Sequence, residues 1–447
     1  MSLPVVAIIG RPNVGKSTFF NRLIGRRLAV VDDVPGITRD RLARRSDWNG
    51  QEFHLVDTGG WVPEGEEVMD GRILDQVLQA MEICDLILFL VDTKQGSHPH
   101  DQVIARQLFK RDIPVLLVAN KTDHDKLDAE AMEFSALGFD KVYPISAQEG
   151  RGIGDLLDDV VEQVQARARR TRNPRAGVGG NEGIRVALVG RPNVGKSSLT
   201  NLLLGEERMI VDDVPGTTRD AVDSPFRYHG EEMILVDTAG IRRKLGSHPD
   251  FEFYATLRAM RALDGADVAV LVLDATEPVH RQDARIGQMI VEAGSAIVLV
   301  VNKWDLVEEK DDRSIGLWVR KIRDHLPFLD HAPILFLSAE TKQRIHKLPE
   351  EILKVHGNSQ REIQTRDLNE VLKKALEHNP PKSRGGGKRP VKVYYSTQVR
   401  KGPPTIALFV SDPPRMAPDY IRYIIHQFRD AFDFEGAQLR IALRKAK

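Results

Sequence analysis

The sequence predicts an α/β protein in which two copies of a mostly parallel, doubly wound sheet are followed by a smaller α+β domain. Three observations carry this expectation. The stretch "GRPNVGKST" at 10–18 returns almost unchanged as "GRPNVGKSS" at 190–198, each time directly after a short apolar run. Unbroken Val/Ile/Leu runs alternate with helical stretches through both copies, the pattern of strands covered on both faces. After about residue 358 the repeat gives way to the order helix–strand–strand–helix–strand.

The repeat is longer than its signature. "VVDDVPGITRD" (30–40) is matched by "IVDDVPGTTRD" (210–220), "LVDTGG" (55–60) by "LVDTAG" (235–240), "NKTD" (120–123) by "NKWD" (302–305) and "ISA" (145–147) by "LSA" (337–339). The offset is 180 residues from Gly10 to Gly190 and from Asp57 to Asp237, then 182 from Asn120 to Asn302 and 192 from Ser146 to Ser338. A fixed offset followed by slow drift describes one duplicated domain with late loop insertions, far longer than a solenoid unit of about 20–50 residues. In the first copy, 1–165, the strands are "VVAIIG", "FHLVD", "LILFLVD", "PVLLVAN" and "VYPIS". In the second, 184–358, they are "RVALVG", "MILVD", "VAVLVLD", "AIVLVVN" and "ILFLS". Helices between them supply the crossovers. Residues 166–183, "ARARRTRNPRAGVGGNEG", finish a helix and then break regular structure, which reads as a flexible basic tether. In 359–447, "LNEVLKKALEHNPP" and "APDYIRYIIHQFRDAF" read as helices, and "VKVYYSTQV", "TIALFVSD" and "QLRIAL" as strands.

Composition narrows the function classes. Lys+Arg and Asp+Glu both total 64, so net charge selects no partner. From Lys373 to Lys447, however, sixteen Lys/Arg face six Asp/Glu, a local basic excess. The lone cysteine, Cys84, excludes an intramolecular disulfide and a Cys-rich metal cluster and fits a reducing, cytoplasmic setting. "MSLPVVAIIGRPN" lacks the basic region of a secretory leader. Runs such as "VAVLVL" fall far short of the ~18 residues of a membrane span. Scattered histidines offer no further catalytic constellation, which disfavours an NTP-driven ligase or tRNA-modifying enzyme. Neither end carries a lipidation signal, which disfavours a membrane-trafficking switch.

Gly10, Arg11, Pro12, Asn13, Val14, Gly15, Lys16 and Ser17 satisfy G-x-x-x-x-G-K-[ST], and so do Gly190, Arg191, Pro192, Asn193, Val194, Gly195, Lys196 and Ser197. The glycines let backbone N–H groups turn inward around phosphate oxygens, and the loop opens onto a helix N-terminus that favours anions. Lys16 and Lys196 reach the β- and γ-phosphates in such loops, and the hydroxyls of Ser17 and Ser197 bind Mg²⁺. The base is chosen by "NKTD" and "NKWD". Asp123 or Asp305 can accept hydrogen bonds from guanine N1–H and its 2-amino group, which adenine does not offer, so adenine would leave a desolvated carboxylate unpaired. Asn120 and Asn302 can anchor the base edge, the Lys121 and Lys303 stems can cover the ring, and Thr122 and Trp304 complete the motifs. Ser146-Ala147 and Ser338-Ala339 can present N–H groups to the guanine carbonyl.

Asp57, Thr58, Gly59 and Gly60, with Asp237, Thr238, Ala239 and Gly240, form the D-T-x-G turns. Their aspartates suit Mg²⁺, and the N–H of Gly60 or Gly240 suits a γ-phosphate. In the loop before them, Ile37 stands where the second copy has Thr217, which leaves Thr38 and Thr218 as the Mg²⁺ threonines. A threonine that meets Mg²⁺ only when a γ-phosphate is present orders its loop in one nucleotide state and releases it in the other. The position after D-T-x-G, a water-positioning Gln in Ras-type enzymes, holds Trp61 and Ile241. Slow intrinsic turnover follows.

Taken in this order and spacing, the five motifs resemble translation-factor-class GTPases with a Ras-like fold. The tandem copies, "RRK…FYATLRAMRAL" after Gly240 and "NPP…FEG" near the end make the chain similar over essentially its whole length to the EngA/Der double GTPases. That resemblance implies two GTP/GDP-binding domains, Mg²⁺, a KH-like C-terminal domain and a monomer that associates with the large ribosomal subunit during its maturation. It also places Asn13 and Asn193 where related families bind K⁺, an ion expected to accelerate hydrolysis. Two features depart from the pattern. No GXXG loop, the RNA clamp of KH domains, occurs after residue 358, so that domain is expected to contact the GTPase domains. "SAETKQRIHKL" lacks the glycines of "SAQEGRGIGDL", which raises the question of whether the second base loop keeps the same shape.

Overall fold

The computed structural model describes residues 3–25, 43–57, 81, 84–110, 113–171, 183–205, 223–236, 251–308, 312–381 and 391–446. They fall into two units, Leu3–Val178 and Gly179–Lys447. Among the described residues no helix is long and apolar enough to cross a membrane.

In the first unit the chain runs β1 (Val5–Ile9), α1 (Lys16–Gly25), β2 (Ala43–Trp48), β3 (Gln51–Asp57), β4 (Leu86–Asp92), α2 (Pro99–Leu108), β5 (Val115–Asn120), α3 (Asp128–Met132), β6 (Val142–Pro144) and α4 (Ile153–Thr171). The sheet order is β2-β3-β1-β4-β5-β6, parallel except for the antiparallel edge pair β2–β3. Every residue of β1 and β4 is buried. That is why these runs are unbroken Val, Ile and Leu rather than alternating.

The second repeat follows the same strand order, with a described helix α6 between its third and fourth strands: β7 (Ile184–Val189), α5 (Lys196–Gly205), β8 (Ser224–Tyr228), β9 (Glu231–Val236), α6 (Phe251–Leu263), β10 (Val268–Asp274), α7 (Arg281–Ala293), β11 (Ala296–Asn302), α8 (Asp312–His325), β12 (Ile334–Phe336) and α9 (Lys347–Gln360). Its sheet reads β8-β9-β7-β10-β11-β12, strand for strand the arrangement of the first. Alternate residues of one strand enter different cores. Val268, Val270 and Val272 pack beside α9, while Ala269, Leu271 and Leu273 pack beside α6 and α7. The edge strands β2 and β8 were not anticipated from sequence. Each turns back on itself through two residues of positive φ, Asn49 (49°) with Gly50 (80°) and His229 (50°) with Gly230 (88°), the conformation a tight two-residue hairpin needs.

The C-terminal segment is α10 (Thr365–His378), β13 (Val393–Arg400), β14 (Thr405–Val410), α11 (Pro418–Ala431) and β15 (Arg440–Lys445), in the expected order. β14 pairs antiparallel with β13 and parallel with β15. Leu368 and Leu372 of α10 and Tyr420, Ile424 and Phe428 of α11 close over Ile406 and Leu408, so both helices cover one face. This domain also docks on the second repeat, the contact expected once a GXXG loop is missing. Gly436 donates to His331 O (2.8 Å) and accepts from Ile297 N (2.7 Å). Arg440 reaches Glu292 O (2.8 Å), and Asn358 Nδ2 reaches Glu435 O (3.1 Å).

Candidate nucleotide-binding sites

Each G-x-x-x-x-G-K-[ST] loop leaves the buried end of a central strand and enters a ten-residue helix, α1 or α5. The loop thus lies at the carboxyl edge of a parallel sheet, beside a helix N-terminus. Lys16 Nζ donates to the carbonyls of Gly10 and Arg11, both at 2.7 Å. Lys196 Nζ donates to Gly190 O at 2.8 Å and Arg191 O at 2.5 Å. Burial pushes both ammonium groups down to about 8, against the opposing pull of Asp57 on Lys16 and of Asp283 on Lys196. Ser17 Oγ donates to Asp57 Oδ2 at 2.9 Å, which brings the phosphate-loop hydroxyl and the D-T-x-G carboxylate together. Two hard oxygen donors side by side suit Mg²⁺.

The base-reading elements close on the loop through one asparagine per copy. Asn120 Nδ2 donates to Val14 O (2.8 Å), and its Oδ1 accepts from Ala147 N (2.9 Å). Asn302 repeats both bonds with Val194 O (2.8 Å) and Ala339 N (3.0 Å). Gly15 and Gly195 permit this closure. Both have φ near +96°, and a Cβ on either would collide with the asparagine amide. Of the Ser146-Ala147 and Ser338-Ala339 N–H groups expected to face a guanine carbonyl, those of Ala147 and Ala339 are donated to the asparagines. Lys121 pairs with Asp92 (2.6 Å) and Lys303 with Asp274 (2.6 Å), which holds each lysine stem beside its loop. Asp123 accepts from Ser146 Oγ (2.7 Å) and from Lys94 Nζ (2.6 Å). These bonds, Lys94 first, hold its carboxyl below the usual range. Thr122 is buried against Thr93 (2.9 Å), and the Trp304 ring lies in the core against Phe336, so neither side chain lines the site.

The second base loop keeps the shape of the first. A Ser146–Arg151 bridge in one corresponds to a Ser338–Gln343 bridge in the other. Where the first loop has Gly150 and Gly152 at positive φ, the second places Lys342 (57°) and Arg344 (60°) in the same left-handed region. Missing glycines therefore leave the geometry intact at a cost of about 1–2 kcal/mol per residue. Asn13 (65°) and Asn193 (62°) share that backbone region, which asparagine tolerates better than most residues.

Sequence reasoning missed the anchor behind each phosphate loop. Arg11 Nε reaches the fully buried Asp101 (3.3 Å) and its Nη1 reaches Gln95 (2.5 Å). In the second copy Arg191 pairs with Asp283 (3.1 Å) and Glu277 (2.8 Å). Burial raises the carboxyls of Asp101 and Asp283 despite these arginines. The equal 182-residue spacing of Asp101 to Asp283 and of Asn120 to Asn302 was the available signal. Thr38, Thr58, Gly59, Gly60, Trp61, Thr218, Asp237, Thr238, Ala239, Gly240 and Ile241 lie outside the described residues.

Comparison with known proteins agrees with this geometry. The sequence profile described as "50S ribosome-binding GTPase" matches twice, at 5–121 and 185–303. The profile described as the C-terminal KH-domain-like region of EngA bacterial GTPase enzymes matches 362–444. GTPase Der of Desulforamulus reducens is 46% identical over 446 residues, spanning 100% of this chain and 99% of that protein. GTPase Der of Geobacillus kaustophilus is 46% identical over 449 residues and spans both chains fully. The chain belongs to the Der (EngA) GTPase family. As a Der-family GTPase it carries two G domains of mostly parallel sheet, at the two sites described above, and a KH-like C-terminal domain.

Proposed function

We propose that both sites bind GTP or GDP with Mg²⁺, that GTP is hydrolysed at each, and that the nucleotide states switch a cytoplasmic monomer on and off the large ribosomal subunit during its maturation. One observation carries the double-site reading: Asn120 and Asn302 lock the phosphate loop to the base-reading strand with the same bonds in both copies. Lys16 and Lys196 would meet the phosphates, and Asp123 and Asp305 the guanine edge. Ser17, Thr38 and Asp57, with Ser197, Thr218 and Asp237, would hold Mg²⁺, which neutralises charge on the phosphates. The ribosomal partner is supported by the family match and by the basic excess of the C-terminal domain.

The experiment is co-sedimentation with purified large-subunit particles in a GTP analogue and in GDP, using Lys16→Ala and Lys196→Ala separately. Nucleotide-dependent association lost in at least one variant is expected; equal association in every state removes the switch. Because Trp61 and Ile241 cannot orient water, we also propose that K⁺ held near Asn13 and Asn193, both exposed on their loops, accelerates hydrolysis. Steady-state rates in matched KCl and NaCl, repeated with Asn193→Ala, test this, and equal rates in the two salts exclude the ion.

A further inference from the structure

The C-terminal domain builds its core from one face of its sheet only. Ile406, Leu408 and Val410 enter that core, with Ile441 and Leu443 packed against it. The alternate residues of β14, including Phe409, therefore lie on the other face. Register sets three residues in one row there: Tyr395 of β13 opposite Phe409 of β14, itself opposite Arg444 of β15. The two rings are stacked, with centroids 4.2 Å apart and planes 11° from parallel. Tyr395 nonetheless remains 44% exposed, and its neighbours Tyr394 and Val399 are 55% and 49% exposed.

Charge and strand pairing indicate what fits this face. Arg400 of β13 and Arg444 of β15 are exposed, and Lys392 is exposed just before β13. Among the described residues, none of the three has an ion-pair partner. An anionic partner would supply what they lack. The pairing of β13 slips between Val393 and Tyr395 and again between Gln398 and Arg400. Such irregularities blunt an edge against strand addition, which argues against a β-augmenting protein. An acidic peptide would use the cations but leave the stacked rings idle. A single-stranded nucleic acid uses both, because every base has a π-face and every nucleotide a phosphate.

We propose that this open sheet face binds single-stranded RNA, with a base stacking on Tyr395, Phe409 backing it, and Arg444 and its neighbouring cations meeting the phosphates. The proposal rests on the ribosomal partner inferred above and gives the domain an RNA surface that needs no GXXG loop.

The test uses the full chain with a labelled oligouridine of about twelve nucleotides, read by fluorescence anisotropy. Tyr395→Ala should weaken binding about ten-fold and Tyr395→Phe should restore it. Arg444→Ala should lower the salt slope by about 0.7. GTP affinity and thermal midpoint, measured on the same samples, report the fold. Unchanged RNA affinity in a folded Tyr395→Ala chain overturns the proposal. So does a Tyr395→Ala chain that loses large-subunit particles but still binds the oligonucleotide, since the face then docks a protein. If the unsubstituted chain ignores large-subunit particles in every nucleotide state, the ribosomal reading fails, while the oligonucleotide result still judges the face.

Discussion

Raising the pH from 7 to about 8.5 should weaken GTP binding about four-fold at each site, through one lysine per loop. Lys16 and Lys196 are held by two loop carbonyls each, and burial brings both down to about 8 from the ordinary 10.5. Phosphate oxygens recruit only the ammonium form, so the protonated fraction sets the affinity. That fraction falls from about nine-tenths at pH 7 to about one-quarter at pH 8.5, and at pH 8 binding should take up about half a proton per site. The same group acts on the fold with the opposite sign. Because the folded value is lowered, the unfolded chain holds the proton between pH 8 and 10.5 while the folded chain releases it, so fold stability rises with pH as phosphate affinity falls. General alkaline unfolding would drive both downwards. Calorimetry in two buffers of different ionisation enthalpy reads the proton uptake, with Lys196→Ala isolating the first site and Lys16→Ala the second. A Lys16→Arg chain in the Lys196→Ala background, carrying a cation that does not titrate, gives the baseline for the nucleotide's own titration. A flat affinity, or binding heats independent of buffer, refutes the reasoning.

Two further outcomes are expected at the base. In a Lys196→Ala background, Asp123→Asn presents an amide donor where guanine needs an acceptor; GTP affinity should fall about 100-fold or more, with xanthosine triphosphate preferred instead. Competition between the two nucleotides measures this, and retained GTP preference contradicts the assignment of Asp123. Lys94→Thr gives the first site the residue that stands at Thr276 in the second and removes an exposed ion pair from Asp123. GDP affinity of the first site should rise about three-fold, the modest scale of a solvent-exposed pair. An unchanged or weaker titration shows that Lys94 does not compete for the carboxylate.

What could be read from the sequence was whatever one strand and its next turn determine. The runs "LILFLVD" and "VAVLVLD" are buried on both faces, so their hydrophobicity alone marks them, and the phosphate loops and N-K-x-D turns follow directly from such strands. β2 and β8 escaped because an edge strand such as "ARRSDW" has only one pairing partner, β3, and no apolar run, although Asn49-Gly50 was a hairpin signal in plain view. The Arg11–Asp101 and Arg191–Asp283 anchors escaped for a different reason. Their partners are about 90 residues apart and meet only once the sheet has formed. The second base loop shows the reverse error. Lys342 and Arg344 look unsuited to a glycine-shaped turn, but the Ser338–Gln343 bridge and the Asn302–Ala339 bond hold them in it.

Among the described residues the two sites agree at the lysine and asparagine of the phosphate loop and part beside the base. On the phosphate side, corresponding bonds agree closely: Lys16 to Gly10 O is 2.7 Å against 2.8 Å for Lys196 to Gly190 O, and Asn120 to Val14 O matches Asn302 to Val194 O at 2.8 Å. Beside the base they part. Lys94 takes a bond to Asp123 in the first, whereas Thr276 in the second turns to Asp274 at 2.6 Å. Strain differs too, because glycines line the first base loop and left-handed Lys342 and Arg344 the second. A difference beside the base changes how tightly each site holds any guanine nucleotide, GTP and GDP alike. Two domains with equal chemistry and unequal affinity fill at different nucleotide concentrations, so a duplicated fold can pass through its states in order rather than together.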